Sequence, residues 1–236
     1  MVCLPHAGGS ASMYDAWRGQ LKWLGLELHA AELPGRRWSA RVPLVADMNS
    51  LVGEIADELT HGPPLPTALL GHSLGAWVAW ELARHLRRRS PGKVVCLVVA
   101  CCPAPQLPPR LPPLSGLPDA EFLEAVGRRY GRLPIPPGAS PDERAELLRA
   151  LRKDMELAES FGYVEEHLLE CPVLALGGAD DPAVRVGELE AWRGQTQGAF
   201  ATRLFPGGHF PAEGESSPIL RAVLRYLPPL VETIDR

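Results

Sequence analysis

The sequence predicts an α/β fold, a mainly parallel sheet with helices on both faces and a helical insertion at its C-terminal edge. Three observations predict it. Short β-like apolar runs alternate with segments of helical spacing along most of the 236 residues. Val94–Ala100 is a continuous apolar run, the pattern of a central parallel strand buried on both faces. One long segment, Pro103 to about Glu170, breaks the alternation with prolines and helical stretches.

Taken in order, Met1–Leu4 is a short apolar strand ending at Pro5. Met13, Trp17, Leu21 and Leu24 recur every three or four residues, which places a helix over Met13–Leu24. Leu26–Ala31 reads as a strand. Asp47 can cap a helix to about Leu59, with Leu51, Ile55 and Leu59 on one face. Thr67–Leu70 is a buried strand and Ala76–Leu86 a helix. Its end carries Arg84, Arg87, Arg88 and Arg89, and cations suit a helix C-terminus. After the insertion come a strand at Val173–Leu176 and a helix that includes Glu188–Trp192. The strand Phe200–Phe205 is less apolar, as expected near a sheet edge, and Pro218–Tyr226 forms a closing helix.

The insertion starts with Pro103, Pro105, Pro108, Pro109, Pro112, Pro113 and Pro118. Helical stretches follow at Asp119–Tyr130 and Pro141–Phe161, separated by the Pro/Gly-rich Leu133–Gly138. Core segments 1–102 and 171–236 therefore bracket an insert at 103–170, read as a lid over the strand ends.

Composition narrows the function. Hydrophobic residues make up 46% of the chain, enough for one sizeable core, and the net charge of −4 argues against nucleic-acid binding. No run of about 18 apolar residues indicates a membrane span. The start, MVCLPHAGG, lacks the basic and apolar regions of a signal peptide. Cys3, Cys96, Cys101, Cys102 and Cys171 lie in or beside apolar runs, the pattern of buried free thiols in a cytoplasmic protein. No metal-ligand cluster stands out, and no metal or organic cofactor is expected.

The most informative motif is Gly71-His72-Ser73-Leu74-Gly75. It lies between a strand and a helix, the context that gives G-x-S-x-G meaning as a nucleophile elbow of the α/β-hydrolase fold. Strand turns into helix within a few residues, so the serine sits at a strained tip beside the helix N-terminus, where developing negative charge is favoured. A serine hydroxyl needs a base. In this fold the base follows the last strand, and Gly207-Gly208-His209-Phe210 does so. An acid should orient it from just past Val173–Leu176. There Asp180 and Asp181 are both available, one of them free to brace the turn. The oxyanion hole needs two backbone N–H donors. One is expected from Leu74 and the other from Ala7, in the loop Pro5-His6-Ala7-Gly8-Gly9, with His6 bracing that loop.

These pieces together resemble the type II thioesterases that accompany modular polyketide and nonribosomal peptide synthases, and the related medium-chain fatty-acid thioesterase of animals. The resemblance spans almost the whole chain. It runs through CLPHAGGSA, ELPGRR at Glu32–Arg37, GHSLGAWVAWELA, LPDAEFLEAVGRRYGRLP, LRKDMELAESFGY, CPVLALGGADDP and FPGGHF. The P-H-A-G-G and P-G-R segments are more specific to this group than the elbow. The resemblance implies a catalytic triad of Ser73, Asp181 and His209, because the family's acid directly precedes the proline. It also implies hydrolysis of acyl groups from the phosphopantetheine thiol of acyl or peptidyl carrier proteins, in the service of editing mis-primed or stalled chains. The expected partner is such a carrier protein, with no nucleic acid and no membrane, and the expected state is a monomer. The family usually carries a few more residues before its first strand, so this start is expected to be either short or misassigned. Pro211 stands where an aromatic is common, so the substrate wall there is expected to differ.

Two further functions fit the sequence less well. An oxygen-ester hydrolase or acyltransferase would use the same triad, and the P-H-A-G-G and P-G-R combination argues against it. A non-catalytic binding module is disfavoured by the intact serine, acid and histidine. The Arg128, Arg129 and Arg132 stretch reads first as a solvated helix face, and second as a landing site for an acidic carrier.

Overall fold

A computed structural model describes residues 1–34, 47–61, 65–133, 135 and 138–231. Six strands form one sheet: β1 (Val2–Leu4), β2 (His29–Ala30), β3 (Thr67–His72), β4 (Val94–Ala100), β5 (Val173–Gly178) and β6 (Phe200–Phe205). Their order is β2-β1-β3-β4-β5-β6, and every neighbouring pair is parallel. β6 is an edge strand, in keeping with its less apolar sequence. β2 keeps only two residues of the strand expected over Leu26–Ala31.

The strands alternate their side chains between two apolar layers, as the pleat requires. Leu4, Leu69, Leu97, Val99 and Ala175 point toward one layer, under α2 (Met48–His61), α3 (Leu74–Arg89) and α6 (Val186–Glu190). Cys3, Leu70, Val98, Ala100 and Leu174 point toward the other, under α1 (Arg18–Trp23) and α7 (Pro218–Val231). The helix expected over Met13–Leu24 is split. Ala11–Trp17 is a 3-10 helix, and α1 begins only at Arg18. The helix around Glu188–Trp192 is likewise short, passing into a 3-10 turn at Ala191–Gln195.

Between β4 and β5 the chain builds α4 (Asp119–Tyr130) and α5 (Pro141–Glu159). Gly131, at φ 83°, ends α4 in the left-handed conformation that favours glycine. Ser140 and Glu143 form a capping box at the start of α5, and Pro141 sits where its missing N–H costs nothing. Phe122, Val126, Leu151 and Met155 pack as a third apolar cluster, which Ala7 also joins. The two helices thus rest on the loop after β1.

Candidate active site

β3 meets α3 at Ser73, whose φ is 53°, a conformation rarely taken by a residue with a side chain. The strain survives because the surroundings leave no alternative. The Ser73 N–H donates to the Ala100 carbonyl at 2.8 Å, and the Ala76 N–H donates to the Ser73 carbonyl at 2.9 Å. Glycines make the crossing possible. A Cβ on Gly71 would lie 2.0 Å from the Gly75 carbonyl oxygen, and one on Gly75 would lie 2.3 Å from that of Leu4. The elbow is therefore pressed against the first strand, and that contact places the β1 loop beside the serine.

His209 follows β6. Its Nε2 lies 2.9 Å from Ser73 Oγ, and its Nδ1 lies 2.9 Å from Asp181 Oδ2. The imidazole and the carboxylate side chains are only 2% and 1% exposed. A carboxylate can only accept, so Nδ1 carries the proton and Nε2 is left as the acceptor facing the serine hydroxyl. Asp181 also does the second task expected of its neighbour. Its Oδ1 accepts from the N–H groups of Ala183, at 2.8 Å, and Val184, at 3.3 Å. Asp180 is exposed.

His72 lies beneath the row. Its Nε2 donates to the His209 carbonyl at 2.9 Å. Burial above all, with His6 and His209 nearby, holds its basicity well below the usual imidazole range, so it is neutral. His6 is similar, pushed down to about 4 chiefly by burial. Its Nδ1 donates to the Ala7 carbonyl at 2.9 Å, and its ring meets those of His72 and Phe210 edge-on. His6 thus braces the loop, as expected.

Leu74 and Ala7, the two expected oxyanion donors, both line a cavity of about 600 Å³ that also contains Ser73 and His209. Leu74 opens α3, where N–H groups have no partner within the helix. A recess of about 20 Å³, bounded in part by Ala7, Ser73, Tyr130 and His209, has room for one water-sized group. The large cavity is walled by Trp77, Phe161 and Tyr163 together with the prolines of the insert. Among its charged groups, Arg110 pairs with Glu188, and Glu159 accepts from the N–H groups of Leu114 and Ser115. Tyr130, at the end of α4, sets its ring centroid 4.6 Å from that of His209. Sequence reasoning had placed Tyr130 in a helix without linking it to the histidine. Its position at a helix end before a glycine was the signal available.

The three arginines at the end of α4 are engaged. Arg128 pairs with Glu124, Arg129 donates to the Pro112 carbonyl, and Arg132 pairs with Glu213 while lying over the Phe210 ring. Gly35, Arg36 and Arg37 of the P-G-R segment lie outside the described residues. Among the described residues no three His, Cys, Asp or Glu side chains converge as metal ligands, and no helix is long and apolar enough to cross a membrane.

The thioesterase domain model matches residues 1–227. The gramicidin S biosynthesis protein GrsT of Aneurinibacillus migulanus is 35% identical over 211 residues, covering 89% of this chain and 81% of that protein. Among solved structures, the RedJ thioesterase of the prodiginine pathway in Streptomyces coelicolor superposes with a TM-score of 0.85 at 32% identity. That match covers 97% of this chain and 84% of RedJ. The type II thioesterase BorB of the borrelidin biosynthetic cluster gives 0.81 at 30% identity, covering 98% of this chain and 90% of BorB.

Proposed function

The chain belongs to the thioesterase family, and from that premise we propose that Ser73, His209 and Asp181 are its catalytic triad, acting on acyl groups carried by phosphopantetheine. Thioester hydrolysis is the family's reaction, and the chain is a thioester hydrolase. The observation that carries the assignment of residues is the unbroken row Asp181–His209–Ser73, with 2.9 Å at each step, opening into the 600 Å³ cavity.

In this reading Ser73 Oγ attacks the thioester carbonyl as His209 Nε2 takes its proton. The tetrahedral oxyanion is held by the N–H groups of Ala7 and Leu74, each contributing on the order of 3 kcal/mol to transition-state stabilisation. The thiol departs, taking a proton from His209, and leaves an acyl-serine. Water, deprotonated by the same nitrogen, then releases the carboxylic acid. Asp181 holds the tautomer and stabilises the imidazolium that forms in each half.

The site takes its substrate as an acyl carrier or peptidyl carrier protein, and its service is to clear mis-primed or stalled chains. Relatives drawn from polyketide and nonribosomal peptide pathways support this, as does the cavity between the triad and the proline-lined segment after β4. The described residues between β4 and β5 act as the lid of that cavity. Arg128 and Arg132 stay largely exposed in their ion pairs with Glu124 and Glu213, which fits the solvated helix face of the first reading.

The test compares acyl-carrier protein, an acyl-N-acetylcysteamine thioester and the matched oxygen ester. Wild type should prefer thioesters, and Ser73→Ala should abolish turnover while leaving thermal unfolding unchanged. Equal turnover of the oxygen ester would favour the general esterase instead. Undiminished turnover by Ser73→Ala would remove Ser73 from its role.

A further inference from the structure

We propose that Asp154, on α5 of the insert, is a positioning residue that fixes the Ala7–Gly8 peptide and so aims the Ala7 N–H at the oxyanion. The inference rests on the reading of Ala7 as an oxyanion donor. Asp154 is 146 residues from Gly8 in sequence, yet its Oδ2 accepts from the Gly8 N–H at 2.7 Å. The residue is only 6% exposed. A short hydrogen bond to a buried carboxylate is among the stronger ones a backbone amide can make.

The geometry around that bond gives it a consequence. The peptide unit joining Ala7 to Gly8 is gripped at both ends. Its carbonyl oxygen takes the His6 Nδ1–H at 2.9 Å, and its N–H gives to Asp154. One residue further on, the Gly9 N–H closes a turn onto the His6 carbonyl at 2.8 Å. Gly8 itself sits at φ 74°, where a residue without a side chain has easy access to other conformations. Such a peptide can rotate unless held. The Ala7 N–H belongs to the preceding peptide unit and its direction follows the Ala7 backbone angles, so rotation of the Ala7–Gly8 unit would release those angles and let the Ala7 N–H swing away from the developing negative charge. His6 alone grips one end, and Asp154 supplies the other from a different part of the chain. Ala7 also packs against the cluster of Phe122, Val126, Leu151 and Met155, so the same pair of helices holds the loop by contact and by hydrogen bond. The donor set is thereby completed only when α5 is seated.

The experiment uses the full chain with Asp154→Leu, branched at the same carbon but without an acceptor, Asp154→Ser, too short to reach, and Asp154→Asn, which keeps an oxygen at the same place. Steady-state hydrolysis of an acyl-N-acetylcysteamine thioester, thermal unfolding and hydrogen exchange of the peptide containing residues 6–9 are measured for each. The expected result for Leu or Ser is a kcat lower by roughly 10²-fold, the scale of one lost oxyanion donor. KM should stay within about two-fold, because substrate binding does not use the oxyanion contact fully. Exchange at Gly8 should accelerate, and Asn should recover most of kcat and of the protection. If Leu fails to fold, Ser carries the same comparison. The proposal is overturned if Leu or Ser retains wild-type kcat, or if Asn loses as much as they do. Unmoved exchange at Gly8 overturns it too, as does a fall in kcat that merely tracks the melting temperature. Absence of thioester turnover in wild type would instead strike the functional reading. The exchange comparison would still show whether Asp154 holds the loop, and unchanged exchange there would end the proposal.

Discussion

Asp181→Asn separates the two tasks of one carboxylate. In the native protein Oδ1 accepts from two backbone N–H groups, at 2.8 and 3.3 Å, and Oδ2 accepts from His209 Nδ1 at 2.9 Å. Asparagine has one acceptor and one donor end. Placing its NH2 group toward Ala183 and Val184 would set donor against donor twice, so the oxygen stays there and the NH2 faces His209. A donor at Nδ1 forces the ring proton onto Nε2, which then donates to Ser73 rather than receiving its proton. The wrong tautomer costs a serine hydrolase on the order of 10⁴-fold in kcat. At about 1.4 kcal/mol per decade that is roughly 5 kcal/mol of barrier. The fold should barely notice, because the turn keeps both its hydrogen bonds. Asp181→Ala is the contrast. It abandons the buried N–H groups of Ala183 and Val184 at about 1–3 kcal/mol each, and its melting temperature should fall clearly. Thiol release from an acyl thioester, followed with a chromogenic disulfide, gives kcat, and calorimetry gives stability. An asparagine variant keeping more than a tenth of wild-type kcat would refute the tautomer argument.

Other perturbations read the scaffold around the site. Gly75→Ala sets a Cβ 2.3 Å from the Leu4 oxygen and 2.6 Å from that of Pro5. The backbone cannot yield there, so stability should drop by about 3 kcal/mol or more, with loss of fluorophosphonate labelling at Ser73; a stable, labelled variant would contradict it. His6 and His72 are held neutral in the fold, His6 down to about 4, while an unfolded histidine titrates near 6.5. The folded state therefore binds fewer protons between those values. Stability is complete above about pH 6.5 and falls as pH drops toward 4, His6 alone contributing about 3 kcal/mol of that fall. Urea midpoints at pH 7.5, 6 and 4.5 should decline in that order, less steeply in His6→Gln; a flat series would count against it. Arg84 is buried, with ion pairs at 2.8 Å to Glu81 and 2.9 Å to Glu166 and its guanidinium over Trp80. Arg84→Met should cost about 3 kcal/mol in urea unfolding, because Glu81 is left without its partner in a largely buried place. An unchanged midpoint would show the pair to be dispensable.

The elements that set the chemistry were plain in the sequence because local signals carry them. Val94–Ala100 is apolar throughout and forms β4 with those bounds, and the glycines flanking Ser73 mark a crossing that only they permit. Position in the chain was enough to pick, among seven histidines, the one whose Nε2 lies 2.9 Å from Ser73 Oγ. Where tertiary context decides, the sequence was silent. The Met13–Leu24 stretch has one apolar face whether its first turns are α or 3-10, so the tighter winding over Ala11–Trp17 could not be seen. Leu26–Ala31 had the composition of a strand, but pairing with β1 is limited to two residues because β1 itself is short. Asp180 and Asp181 look alike in the sequence, and only their surroundings show that Asp181 both accepts from His209 and braces the turn, while Asp180 is exposed. Asp154 lay in a helix of many charges, and nothing local distinguishes an inward carboxylate from its solvated neighbours.

The sheet collects its reactive groups in an order that the ribosome must respect. The loop after β1 is made first, the elbow by residue 73, the carboxylate at 181, and the imidazole only at 209. A chain synthesised only as far as β6 has Ser73 but not yet the imidazole that faces it. The imidazole that completes the row is thus made only after all six strands that hold it have been laid down.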